Sequence, residues 1–216
     1  AVQAFTSSTA DGAYKSGASI NITATMTETV LAGSKITVIL GTTDKVELTT
    51  STNSTSLTGT YTVGATDNSA DLAVSSFSLT DISGAATTVT DVYGNFMQST
   101  SMPGSQNLSD NKAIVVDNIP IAGGAVVATS LDPDDTIVLN FSEAVANHAA
   151  LATTITDNAS VYGDSNTAVW NTAKTALTVT LKANETFVDD QVISFTNVED
   201  AAGNVTETIN FTVDIS

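Results

Sequence analysis

Carboxylates are the side chains of this sequence best placed to do chemistry, because they are numerous and most alternatives are missing. The 216 residues hold 23 acidic side chains against six Lys and no Arg, a formal charge of −17, with a single His and no Cys. Without Cys there is no thiolate to attack a substrate or bind a metal, and no disulfide to staple the fold. With His148 alone, neither a His-based charge relay nor a His-rich zinc site assembles. Crowded carboxylates repel by about 1–4 kcal/mol per close pair. A hard cation relieves that repulsion, and Ca²⁺, which takes about six to eight oxygen ligands, is the external staple the composition suggests. A field of this sign also repels phosphate backbones, which excludes nucleic acid as a partner.

The acids recur in a pattern. Ile22-Thr23-Ala24-Thr25-Met26-Thr27-Glu28-Thr29-Val30 is echoed by Ile137-Val138-Leu139-Asn140-Phe141-Ser142-Glu143-Ala144-Val145, and Asp91-Val92-Tyr93-Gly94-Asn95 by Asp200-Ala201-Ala202-Gly203-Asn204. Each copy runs from an alternating apolar segment ending in hydroxyl-Glu-x-Val to an Asp-x-x-Gly-Asn turn about 60 residues later. The chain therefore reads as a tandem of two small domains, 1–119 and 120–216, parted where Pro120 stops a strand and Gly123-Gly124 opens the next.

The elements that must position these acids are strands. β-branched residues alternate with polar ones in short runs bounded by Gly, Asp, Asn and Ser, whereas helical periodicity is nearly missing. The first half predicts strands at 2–6, 18–27, 35–40, 45–49, 57–63, 72–79 and 112–117, with 87–90 and 96–99 flanking the Asp91 turn. The second half predicts them at 125–130, 136–141, 153–156, 168–170, 177–181, 192–196 and 205–213, with a helical turn at 142–151 capped by Ser142. Such a count predicts an all-β chain of two tandem Ig-like antiparallel sandwiches. In an Ig-like order, the loops bearing Asp11, Asp67 and Asp71 share one end of the first sandwich with the exit residues Asp117 and Asn118. The second domain presents Glu143, Asp200 and Asn204 toward the same junction. These residues are the expected interdomain Ca²⁺ ligands, and by the repeat Glu28, Asp91 and Asn95 form a matching half-site at the far end of the first domain.

The first half resembles the Ig-like or cadherin-like repeats of bacterial and archaeal surface proteins through 9–20, 60–72, the Asp91–Asn95 turn and Val116-Asp117. The second is similar to Ig-like modules of S-layer proteins and large adhesins through Leu139–Val145, Leu177–Leu181 and Val198–Asn204. The resemblance implies an extracellular, non-catalytic module that serves as a spacer, adhesive or lattice unit and is often calcium-stabilised, with calcium placed much as in cadherin repeats.

The remaining polar features read as ordinary structure. Asp132-Pro133-Asp134-Asp135 suits a Pro-led turn, Asp189-Asp190 a solvated loop, and His148 a solvent-facing position beside Glu143. The run Thr49-Thr50-Ser51-Thr52 suits a solvated strand face and loop. Eight Asn-x-Ser/Thr triplets suggest a glycosylated surface, with Asn53 and Asn107 the most plausible sites. No apolar run of about 18 residues predicts a membrane span, and Ala1-Val2-Gln3-Ala4 lacks leader features, so the start reads as a mature N-terminus. The leading expectation is a calcium-stabilised cell-surface subunit that associates with its own copies in an S-layer or filament, or an adhesin module. A glycan- or surface-ligand-binding module is the alternative, and an enzyme is not expected.

Overall fold

The computed structural model describes residues 1–215. The chain divides into two compact units, Ala1–Asn118 and the remainder from Ile119. Each has its own apolar core, built from a separate set of buried side chains.

The first unit contains β1 (Val2–Thr6), β2 (Gly12–Tyr14), β3 (Ser19–Val30), β4 (Lys35–Leu40), β5 (Lys45–Thr49), β6 (Ser54–Thr62), β7 (Val74–Ser78), the helical turn α1 (Leu108–Asn111) and β8 (Ile114–Val116). Six strands form one sheet in the order β1-β3-β6-β5-β4-β7, and β2 pairs in parallel with β8. β3 shows why the sequence makes this sheet: Ile20, Ile22, Ala24 and Met26 alternate with polar residues, so a period of two buries one face and leaves the other to Thr and Asn. Its pairing with β6 shifts register between Thr25 and Val30, which takes Thr27, Glu28 and Thr29 out of the regular ladder before Val30 returns to the core.

The second unit contains β9 (Gly123–Val127), β10 (Thr136–Phe141), α2 (His148–Thr156), α3 (Ala159–Tyr162), β11 (Thr167–Trp170), β12 (Ala176–Thr180), β13 (Val192–Glu199) and β14 (Val205–Thr212). Four strands pair as β11-β12-β10-β9 and two as β13-β14. Ile137, Leu139 and Phe141 of β10 face a core that also takes Phe195, Ile209 and Phe211 from the β13–β14 hairpin. Phe141 meets Phe211 edge-on at 5.0 Å between ring centroids and tilts against Trp170 at 5.2 Å, geometries that aromatic pairs favour.

Three expectations need correction. Residues 153–156, read as a strand from their β-branched content, are the last turn of α2, where Leu151 and Ile155 bury one helical stripe. The hydroxyls of Thr153 and Thr154 donate to the carbonyls of Ala149 and Ala150, four residues back, so the helix absorbs their polarity. The helix begins at His148, not near Ser142, whose hydroxyl instead accepts from Ala122 N–H. Finally, 87–90 and 96–99 meet only through the isolated bridge Thr90–Phe96 and a bond from Met97 N–H to Val89 carbonyl.

Candidate functional site

The repeated Asp-x-x-Gly-Asn segment folds into the same object in both units. Asp91 Oδ1 accepts from the N–H groups of Tyr93 and Asn95, both at 2.8 Å, and Oδ2 accepts from Asn95 Nδ2 at 2.7 Å. Asp200 Oδ1 accepts from Ala202 and Asn204 N–H, both at 2.8 Å, and Oδ2 from Asn204 Nδ2 at 2.7 Å. Gly94 and Gly203 close the turns at φ +89° and +83°, a left-handed conformation in which any side chain is strained. The spacing is thereby explained residue by residue. Asp supplies two acceptor oxygens, Gly allows the reversal, and Asn supplies the third donor. The carboxylates are nearly enclosed, Asp91 at 7 % and Asp200 at 1 % exposure. The Asn95 side-chain amide first, and then its N–H with those of Tyr93 and Gly94, hold the Asp91 carboxyl below the usual carboxylate range against partial burial.

Each turn anchors to the end of its alternating strand in the same way. Leu31 N–H donates to Thr90 carbonyl at 2.8 Å, and Ala146 N–H to Glu199 carbonyl at 2.7 Å. This latch brings the acids of the repeat together. In the second unit a carboxylate oxygen of Glu143 and one of Asp200 lie within 4.8 Å of each other. Glu143 is half-buried, whereas its counterpart Glu28 is exposed.

The other predicted ligands sit in different surroundings. Asp11 forms an ion pair with Lys112 at 2.8 Å and accepts from Ala113 N–H at 3.3 Å; the ammonium, then that amide, lowers its carboxyl pKa. Asp67 accepts from Tyr61 Oη at 2.5 Å and Gly64 N–H at 2.6 Å. Burial, with this bond second, pushes the Tyr61 phenol well above its ordinary pKa. Asn118 ties two loops of the first unit: its Oδ1 accepts from Ser16 N–H, and its Nδ2 donates to the carbonyls of Gly64 and Asp67. Asp117 follows β8 with its N–H on Tyr14 carbonyl, and Asp71 is exposed ahead of β7. Asp67 and Asn118 thus share one network, while Asp11 is held by Lys112 and Ala113.

A cluster that sequence reasoning passed over lies in the second unit, where Asp189, Asp190 and Asp214 each offer an oxygen within 4.8 Å of the others. All three are exposed, and Asp189 Oδ1 also accepts from Ile215 N–H. The adjacent pair was visible in the sequence; the third member arrives through pairing of the two segments, with Asp190 N–H on Val213 carbonyl and Val213 N–H on Gln191 carbonyl. His148 is half-buried, with its ring Nδ1 3.1 Å from Val145 carbonyl and its own carbonyl accepting from Trp170 Nε1 at 2.7 Å. Among the described residues, no helix is long and apolar enough to cross a membrane. No family model matches the chain, and no curated protein matches it in sequence.

Proposed function

We propose that the chain is a non-catalytic, extracellular structural protein: two tandem Ig-like sandwiches of a cell surface, stiffened by calcium and assembling with copies of themselves or with neighbouring modules. The observation that carries this reading is the Glu143–Asp200 pair, two carboxylates held within 4.8 Å by a latch and turn that both units possess. A half-buried and a fully buried acid lie that close, and their repulsion is what a divalent ion offsets. Asp200 has one oxygen committed to two N–H groups and the other to a single amide, so the second oxygen retains acceptor capacity toward an ion. The neutral Thr-, Ser- and Asn-rich surface, with few Lys and no Arg, suits contact between modules outside the cell more than recognition of anions.

Thermal unfolding in millimolar Ca²⁺ and in chelator tests the reading. With extracellular affinities of about 10⁻⁴–10⁻³ M, 1 mM Ca²⁺ adds about 0.4–1.4 kcal/mol, enough to raise the melting temperature of the second unit by a few degrees. Glu143→Gln removes the increment while leaving the fold intact. Identical melts in Ca²⁺ and chelator would remove calcium from the account, and electron micrographs showing only isolated monomers at high protein concentration would remove self-assembly.

A further inference from the structure

The two units differ at one place the repeat makes comparable. Hydrogen bonds match Ala1 with Ala122. Thr27 N–H donates to Ala1 carbonyl and Ala1 N donates to Thr27 Oγ1, both at 2.9 Å. Ser142 N–H donates to Ala122 carbonyl and Ala122 N–H donates to Ser142 Oγ, again at 2.9 Å. In the second unit the residue ahead of Ala122 is Ile121, which is 1 % exposed and belongs to the core with Phe141, Val145 and Val198. Thr206 Oγ1 fixes its carbonyl at 2.5 Å.

Met26, Val30, Val89 and Met97 are the first unit's counterparts of Phe141, Val145, Val198 and Thr206. Together with Ala1, Phe96, Glu28 and Asp91 they line a cleft of about 290 Å³. That volume is at the lower limit for a small-molecule pocket, and it suits one branched side chain and the main chain that carries it. Next to the cleft, the Asp91 turn presents Val92, Tyr93 at 87 % exposure and Phe96 at 60 %, where the second unit's turn has Ala201, Ala202 and Val205. Exposed apolar side chains gathered around an apolar cleft mark a contact surface.

We propose that this cleft is the seat of a branched aliphatic side chain carried by an extended segment that runs into β1 as Ile119-Pro120-Ile121 runs into β9, namely the trailing segment of another module of this kind. The occupant is set by the second unit, which shows the same latch and, directly ahead of it, an isoleucine buried in the core with Phe141, Val145 and Val198. Val92, Tyr93 and Phe96 then cover the arriving segment. The inference deepens the modular reading and rests on it for the identity of the partner.

The test compares the full chain carrying Asp-Asn-Ile-Pro-Ile ahead of Ala1 with the same chain carrying Asp-Asn-Ser-Pro-Ser, both in chelator. Methionine methyl resonances are the readout, since Met26 and Met97 line the cleft and Met102 does not. The isoleucine extension is expected to shift the Met26 and Met97 methyls, leave Met102 in place and raise the first unit's melting temperature by roughly 5 °C over the serine extension. Equal melting and unmoved Met26 and Met97 methyls would overturn the proposal. Because no calcium is present, the two readings fail separately: a calcium-insensitive second unit with a filled cleft sinks only the metal site, and the reverse sinks only the docking.

Discussion

The side-chain hydrogen bonds of the Asp91 and Asp200 turns have the same lengths, 2.8, 2.8 and 2.7 Å in each, yet the segments they join behave differently. Around Asp200 the chain continues as β13 and β14, paired from Val192–Thr212 to Glu199–Val205, with Phe195, Ile209 and Phe211 turned into the core. Around Asp91 the flanks 87–90 and 96–99 are joined, among the described residues, through the isolated bridge Thr90–Phe96 and the bond from Met97 N–H to Val89 carbonyl. The turn is a local device that three side-chain hydrogen bonds complete by themselves. A ladder needs alternating bulk on one face, and the first unit lacks it there because its core is built on the six-stranded sheet instead.

The largest way to break this comparison is to remove bulk from each hairpin. Phe195→Ala should cost about 3–5 kcal/mol, since the side chain is fully buried among aromatics, whereas Phe96→Ala should stay within about 0.5 kcal/mol; chemical denaturation of each variant reads both. Removing the carboxylate comes next. Asp200→Ala orphans three N–H donors in a part-buried turn and should cost about 1–3 kcal/mol, seen as earlier unfolding of the second unit by calorimetry. Gly94→Ala should cost roughly 1–2 kcal/mol through backbone strain alone, because no atom lies within 4 Å of the added methyl. A similar loss for Gly203→Ala would confirm that the two turns are interchangeable.

The smallest effect is a pH dependence. The Asp91 carboxyl titrates below its unfolded value of about 3.9, so its hydrogen bonds add stability that is whole above that value and fades as pH falls through the lower folded value. The difference in melting temperature between the natural chain and Asp91→Asn should therefore be constant from pH 7 to about pH 5 and close on acidification below about pH 4. A difference that widens in acid would contradict the assigned direction.

Much of this was legible in the sequence because it is local. The alternation of Ile20, Ile22 and Ala24, the bounds of β1, β4, β5 and β10, and the repeated turn all follow from period, propensity and spacing. The misreading at 153–156 has a plain cause: Thr153-Thr154-Ile155-Thr156 has strand propensity, and burial of Leu151 and Ile155 on one helical stripe overrides it. α1 was missed although Asn107 and Asp110 form a reciprocal cap, since the spacing Asn-x-x-Asp is a weak signal without an apolar run behind it. The partners of the acids were the least legible. Asp11 finds Lys112 and Asp67 finds Tyr61 through strand pairing and loop folding, and no local pattern distinguishes such an acid from one that awaits a cation.

The measurement closest to the central claim is a calcium titration of the ¹⁵N-labelled chain followed by NMR. The account predicts that amides of Glu143 and of the Asp200–Asn204 turn shift together with one saturation curve in the millimolar range, and that Glu143→Gln abolishes it. Shifts confined to the exposed Asp189, Asp190 and Asp214, or none at all, would contradict it.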